Sequence, residues 1–192
     1  MKSDPTKIAI DFDPMTETMR GNSYYGDHDF ELPFISHIEG NLYMGGCRDD
    51  LILPQNIKHL VSLYPWESYR VTHGLDSFTQ VKAYDAAVEP LVPILDGLAS
   101  WVVACLRSGP TLVHCQAGLN RSGLVTALAL MKTGRTAKEA IAFLRQKRST
   151  FVLCNPHFER WVRSHWGVPP ARSHALRHQH AIAETKEGRL RT

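Results

Sequence analysis

Residues 111–123 read Thr-Leu-Val-His-Cys-Gln-Ala-Gly-Leu-Asn-Arg-Ser-Gly. The short apolar run before Cys115 predicts a buried strand, and the residues from Ser122 to Lys132 predict a helix that ends at Gly134. Gly118 lets the loop between them close tightly, because glycine has no Cβ. A strand, a short loop and a helix start turn backbone N–H groups inward, so this stretch predicts a preformed site for an oxyanion.

The side chains of this loop predict phosphate chemistry. The positive potential of the predicted site favours a thiolate at Cys115, which is the nucleophilic form. Arg121 can grip two phosphate oxygens with its planar fork. Ser122 can donate a hydrogen bond to the departing thiolate, and we expect His114 to orient the loop and tune Cys115 rather than act as a base. The predicted phosphate-binding residues are Gln116, Ala117, Gly118, Leu119, Asn120 and Arg121.

Strands and helices alternate on both sides of the loop. Ile38 with residues 41–44, then 59–63, and more weakly 78–84, have strand patterns. Helices are predicted near 50–55, from about 93 to 106, from Thr136 to 147 behind a Thr136–Glu139 capping box, and over 156–165. The predicted class is therefore α/β, with a small, mostly parallel central sheet flanked by helices.

Composition indicates one globular domain. The chain has 192 residues, 43% hydrophobic and 21% charged. We predict an extended or disordered arm over 1–34, a catalytic domain over 35–168 and a basic flexible tail over 169–192, where residues 171–192 carry the whole formal excess of +3. The absence of a secretory core and of a membrane-length apolar run predicts a cytoplasmic protein without a membrane partner. The four cysteines fit neither a metal spacing nor a disulfide scaffold, so we expect free thiols. We also expect no metal and no other cofactor.

The loop resembles the signature of the protein-tyrosine-phosphatase superfamily, which reads His-Cys, two residues, Gly, two residues, Arg, then Ser or Thr. Residues 38–45 look like the opening strand pair of its dual-specificity family. Arg148 with Asn155-Pro-His-Phe158 looks like that family's closing element, although the order here is Asn-Pro rather than Pro-Asn. The resemblance spans about residues 35–165 and implies hydrolysis of a phosphomonoester through a phosphocysteine, without a metal.

The resemblance also implies a general acid, an aspartate about thirty residues before the nucleophile. Asp85 stands thirty residues before Cys115 and is the first choice. Asp76 is the second choice, and Asp96, inside the predicted long helix, is the third. An aspartate entering a helix is also a common capping residue, so Asp85 has a structural interpretation as well.

The sequence allows several substrate classes. The first choice is phosphotyrosine and phosphoserine/threonine in proteins, with Tyr64, Trp66 and Tyr69 as an aromatic rim or as ordinary packing. The first alternative is an RNA 5′-triphosphatase, because Asn120-Arg-Ser-Gly123 is similar to Asn-Arg-Thr-Gly in those enzymes; against it, Gln116-Ala117 replaces their Thr-His. The others are a phosphoinositide phosphatase, for which the loop lacks lysines, and an inactive phosphate-binding module. RNA is thus the second choice of partner after a phosphoprotein, and the oligomeric state is left open.

Overall fold

The protein is described by a computed structural model for residue 6 and residues 10–13, 17–49 and 51–165. Its described strands form two sheets. An antiparallel sheet has the order β1 (Ile10–Asp13), β2 (Thr18–Ser23), β3 (His28–Pro33). The second sheet consists of β4 (Ile35–Glu39), β5 (Leu42–Gly45), β6 (His59–Ser62), β7 (Ser77–Gln80) and β8 (Thr111–His114), in the order β4-β5-β8-β6-β7. Only its β4–β5 pair is antiparallel, so the predicted mostly parallel sheet is confirmed.

The helices are α1 (Val92–Leu106), α2 (Arg121–Lys132), α3 (Ala137–Lys147) and α4 (Pro156–His165). The predicted capping box is confirmed, because the Thr136 hydroxyl accepts from the Glu139 N–H at 3.2 Å and the Glu139 carboxylate accepts from the Thr136 N–H at 2.8 Å. Helix α2 is buried over nearly its whole length and contacts the other three helices. It is therefore the central support for the loop that precedes it.

Alternation along β6 and β8 places the core on both faces of the second sheet. Val61 and Val113 belong to the main cluster, which also contains residues of all four helices. Leu60 and Leu112 belong to a smaller cluster with residues of the segment between β5 and β7. The central strand β8 is buried throughout, which explains its continuous apolar character.

The predicted extended or disordered arm over residues 1–34 is wrong for residues 10–13 and 17–33, which contain the three strands of the antiparallel sheet. Strands β2 and β3 pair over their full lengths, and Met19, Phe30 and Leu32 are buried in the main core. The turn between them contains Gly26 and Asp27 at φ of +82° and +48°. This Gly-Asp turn and the alternation of Phe30 and Leu32 are hairpin signals that the sequence does contain. The predicted basic tail, 169–192, lies outside the described residues.

The predicted helix near residues 50–55 is also wrong for its described part, 51–55. Ile52 instead forms a parallel bridge with Arg70, and the Arg70 N–H donates to the Leu51 carbonyl at 2.8 Å. Pro54 lacks the N–H that a helix would need, which favours this extended path. The weak strand predicted at 78–84 is shorter, Ser77–Gln80. Among the described helices, none combines the length and the apolar character needed to cross a bilayer.

Candidate active site

The loop Cys115–Asn120 begins at the carboxyl end of β8 and enters α2 at Arg121. Backbone hydrogen bonds tie it to the neighbouring strand end: the Cys115 N–H donates to the Gly45 carbonyl at 3.2 Å, and the Cys47 N–H donates to the Gln116 carbonyl at 2.9 Å. The carboxyl ends of parallel strands lie at one edge of a sheet, where α/β proteins commonly bind ligands. The predicted strand, loop and helix are therefore all present and lie at such an edge.

The segment after α3 holds the outer side of this loop. The buried Arg148 side chain donates from Nε to the Gly118 carbonyl at 2.5 Å and from Nη2 to the Ala117 carbonyl at 2.9 Å. The Leu153 N–H donates to the Leu119 carbonyl at 3.2 Å. In a trans peptide the N–H points opposite to the C=O, so the amides that follow these three carbonyls point into the loop. They form the inward cradle that the sequence predicts.

Gly118 is required by this arrangement. Its φ is +68°, a left-handed conformation that glycine adopts without steric cost. An added Cβ would collide with the backbone of Gly45, with its carbonyl oxygen at 2.5 Å, and with Nη2 of Arg148. Both neighbours are themselves part of the loop's support, so neither can yield without opening the cradle.

Cys115 lies at the base of the cradle, with 2% of its surface exposed. Its Sγ is 3.3 Å from the hydroxyl of Ser122, the second residue of α2, where the helix N-terminus favours negative charge. Ser122 is fully buried, so its hydroxyl is held beside the sulfur. This geometry fits a hydroxyl that stabilises a thiolate by donating a hydrogen bond.

Arg121 is the first residue of α2 and is almost completely buried. Its Nη1 donates to the Ala83 carbonyl at 3.2 Å, and its guanidinium carbon lies 4.9 Å from the centre of the Tyr64 ring. These contacts fix the plane of the guanidinium beside the cradle. They also connect the arginine to the segment that carries Asp85, two residues beyond Ala83.

Asp85 lies between β7 and α1 and lines the same pocket as Cys115 and Arg121. Its two carboxylate oxygens accept separate amide hydrogen bonds, Oδ2 from Asn120 Nδ2 at 2.9 Å and Oδ1 from Asn155 Nδ2 at 2.8 Å. Asn120 belongs to the loop and Asn155 directly precedes α4. The carboxyl group is therefore positioned from two sides at the rim of the pocket.

The other two candidate aspartates are elsewhere. Asp76 immediately precedes β7 and so lies at the amino-terminal ends of the parallel strands, whereas the Cys115 loop lies at their carboxyl ends. Asp96 is on α1 and pairs with Lys132 at 2.6 Å, with its side chain largely exposed. Neither residue lines the pocket that holds Cys115.

His114 is completely buried behind the nucleophile. Burial is the main reason that its pKa is lowered to about 4, so its ring is neutral at physiological pH. Its Nδ1 lies 3.4 Å from the Cys115 carbonyl, and its ring forms a T-shaped pair with the Tyr69 ring at 5.3 Å between ring centres. These contacts agree with an orienting residue and give no base in reach of solvent.

Of the three aromatic residues predicted as a possible rim, two are buried in the core and one is half-buried. Tyr64 and Tyr69 are buried, Tyr64 beneath Arg121 and Tyr69 with its hydroxyl donating to the Gly46 carbonyl. Trp66 is half-buried and packs against both Tyr64 and Tyr84. For the two tyrosines, packing is the correct interpretation and the rim is wrong.

Sequence reasoning missed the contribution of the β2–β3 turn. Ser23 and Tyr24 line the pocket together with Cys115. The Tyr25 hydroxyl donates to the backbone carbonyl of Asp85 at 3.1 Å, and burial raises the pKa of Tyr25, which keeps this hydroxyl protonated. The hairpin signal in the sequence could have indicated a folded turn, but it could not have indicated where the turn packs.

Over the described ranges, no three His, Cys, Asp or Glu side chains are grouped so that they could hold a metal ion. All four cysteines are free thiols. The reactive groups brought together at the pocket are the Cys115 thiol, the Arg121 guanidinium and the Asp85 carboxyl, with the Ser122 hydroxyl beside the sulfur.

Comparisons with known proteins agree with this geometry. Residues 44–166 match the model of the dual specificity phosphatase catalytic domain. The dual specificity protein phosphatase OPG106 of vaccinia virus (strain Copenhagen) is 25% identical over 146 residues, 70% of this chain and 84% of that protein. Two crystal structures share the fold: a mouse putative dual specificity phosphatase (TM-score 0.60, 21% identity, 77% of this chain and 91% of that one) and human DUSP28 (TM-score 0.59, 20% identity, 68% and 91%).

Proposed function

Because this chain belongs to the dual specificity phosphatase family of cysteine-dependent protein phosphatases, we propose that it hydrolyses phosphotyrosine and phosphoserine/threonine in proteins with Cys115 as the nucleophile. The observation that carries the assignment is the meeting of Cys115, Arg121 and Asp85 at one pocket, with Ser122 3.3 Å from the sulfur. These groups come from two separate parts of the chain, the segment 115–122 and the segment between β7 and α1 that carries Asp85. Their convergence supplies the nucleophile, clamp and acid that phosphoryl transfer requires.

In the first step the phosphoryl group binds in the cradle, where the loop amides and Arg121 hold its oxygens. The Cys115 thiolate attacks phosphorus and forms the S–P bond while the ester P–O bond breaks. Asp85, in its acid form, gives its proton to the departing oxygen, which leaves as an alcohol or phenol. The amides of Asn120 and Asn155 keep the Asp85 carboxyl at the rim during this transfer.

In the second step water attacks the phosphocysteine. Asp85, now a carboxylate, takes the proton of the water as the P–O bond forms. The S–P bond breaks and returns its electron pair to Cys115, whose thiolate accepts a hydrogen bond from Ser122. Inorganic phosphate leaves and the enzyme returns to its first state.

The nucleophile is tested with Cys115→Ser, beside Cys105→Ala as a matched cysteine control on α1. We expect the serine variant to lose turnover but to keep phosphate binding, because Arg121 and the cradle remain. The control should keep both. Mass spectrometry of wild-type protein quenched during turnover should find a phosphoryl group on Cys115, and its presence on another residue would contradict the assignment.

The acid is tested by the basicity of the leaving group. Asp85→Asn should lower kcat for a phenyl phosphate by about 10²–10⁴-fold and for an activated aryl ester much less, since that ester needs no proton. Asp96→Asn, exposed on α1, is the matched control and should retain wild-type rates. Equal losses on both esters for Asp85→Asn would remove Asp85 from this role.

The substrate class is tested side by side on a phosphotyrosine peptide, a phosphothreonine peptide, a phosphoinositide and 5′-triphosphate RNA. The family assignment favours neither the RNA nor the phosphoinositide alternative. We expect the peptides to be the better substrates by kcat/KM. Preferential turnover of the RNA or the phosphoinositide would overturn the substrate and leave the mechanism in place. A cytoplasmic location stays a prediction.

A further inference from the structure

One side chain at the pocket has no part in the mechanism above. Tyr24, in the β2–β3 turn, lines the pocket beside Cys115, Asp85 and Arg121. It is also 78% exposed, more than any other exposed large apolar side chain in the described ranges. Most of its ring therefore faces solvent at the mouth of the pocket, where the organic part of a bound phosphate ester must emerge.

The turn that carries this ring is anchored to the rest of the molecule. The rings of Tyr24 and Tyr25 form a T-shaped pair, at 5.2 Å between centres and 90° between planes. Tyr25 is fixed in turn by its hydroxyl, which donates to the Asp85 carbonyl at 3.1 Å, and by its own carbonyl, which accepts from the Ser23 hydroxyl at 3.2 Å. At the start of β3, His28 stacks on Phe151 at 4.6 Å and 13°. A turn that is tied to the rest of the molecule at two places loses little freedom when a ligand binds to the ring that it carries.

The position of the ring favours one class of ester. With the phosphate in the cradle, an aryl ester places a flat ring next to the phosphate oxygen, within the reach of a side chain at the mouth. A seryl or threonyl ester has only one or two carbons there and brings the peptide backbone instead. Aromatic pairs attract in offset or edge-to-face arrangements, which an exposed ring can adopt.

We propose that Tyr24 contacts the aromatic ring of phosphotyrosine, so that the β2–β3 turn biases this phosphatase towards aryl phosphate groups. The inference rests on the proposed function and adds a specificity residue to it. It assigns to the amino-terminal hairpin a part of the substrate site, alongside its structural part in the core.

The test compares two peptides that differ only in phosphotyrosine or phosphothreonine. Tyr24→Ala should lower the ratio of kcat/KM for the first peptide to that for the second by about 3- to 10-fold, the size of an aromatic pair contact. Tyr24→Phe keeps the ring and should retain the wild-type ratio. Phe78→Ala removes an aromatic side chain that is 55% exposed on β7, away from this pocket, and should also leave the ratio unchanged.

A binding measurement separates this inference from the function on which it rests. In the Cys115→Ser background, Tyr24→Ala should weaken the binding of the phosphotyrosine peptide by the same factor and leave the binding of inorganic phosphate unchanged. Equal weakening of both ligands, or an unchanged peptide affinity and an unchanged ratio, would overturn the contact. If wild-type protein hydrolyses neither peptide, the proposed function fails, while the binding comparison still decides whether Tyr24 meets the ring.

Discussion

Replacing Arg148 should open the phosphate cradle. The Arg148 guanidinium donates to the Ala117 and Gly118 carbonyls and, through Nη1, to the Ser36 hydroxyl at 2.9 Å. Arg148→Met fills much of the same space but removes every donor. A buried acceptor that loses its partner costs about 1–3 kcal/mol, so the two loop carbonyls alone predict a loss of about 2–6 kcal/mol. That is a large part of the ~5–15 kcal/mol by which domains are stable.

Urea unfolding followed by tryptophan fluorescence measures this loss, and the slope m should stay unchanged. Arg160→Met, at an exposed position on α4, is the matched control and should lie within about 0.5 kcal/mol of wild type. A second measurement, phosphate binding in the Cys115→Ser background, tests the shape of the loop, and we expect Arg148→Met to weaken it strongly. A midpoint like that of the control, or lost stability with intact phosphate affinity, would refute the argument that Arg148 turns the loop amides inward.

Three further predictions address the same site. The folded pKa of His114, about 4, lies below its ordinary value of 6.5. The contribution of His114 to the free energy of unfolding is therefore fully present above pH 6.5, and about 3 kcal/mol of it is lost as the pH falls to 4. In urea midpoints, His114→Gln should lack this part of the pH dependence. Gly118→Ala should abolish phosphate binding and cost more than the ~1–2 kcal/mol of a left-handed residue, whereas Gly97→Ala, where a Cβ meets no atom within 4 Å, should not destabilise. Asn155→Ala removes a donor to Asp85 and should lower kcat on phenyl phosphate by about tenfold, but on an activated ester only slightly; equal losses would contradict a positioning role.

The sequence predicted those parts of the molecule whose signals are local. The apolar run before Cys115, the glycine at 118 and the capping box at Thr136 each depend on neighbours a few residues away, and the structure contains all three elements. Asp85 was indicated by the family resemblance, which implies an aspartate about thirty residues before the nucleophile, and it does line the pocket. Its amide partner Asn155 lies 70 residues along the chain, a distance at which no pattern in one sequence indicates contact.

The errors come from residues whose environment is set by tertiary packing. Tyr64 can serve equally well as a surface ring or as packing, and in the structure it is fully buried in the main cluster, with the Arg121 guanidinium over its face. The arm was judged by its polar composition, yet Phe30 and Leu32 alternate with polar residues as one buried face requires. Composition averages over both faces of a strand and so conceals a hairpin that buries only one.

The packing of β2 against the second sheet bears on how this protein can be shortened. The Met19 side chain lies directly on Gly46, and Phe30 and Leu32 are buried in the same cluster. A chain that begins at Ile35 would lack these side chains and would expose the apolar surface that they cover, including Gly46 at the end of β5. Exposed patches of this kind drive self-association, so such a fragment should aggregate during expression even though it keeps every residue of the catalytic loop.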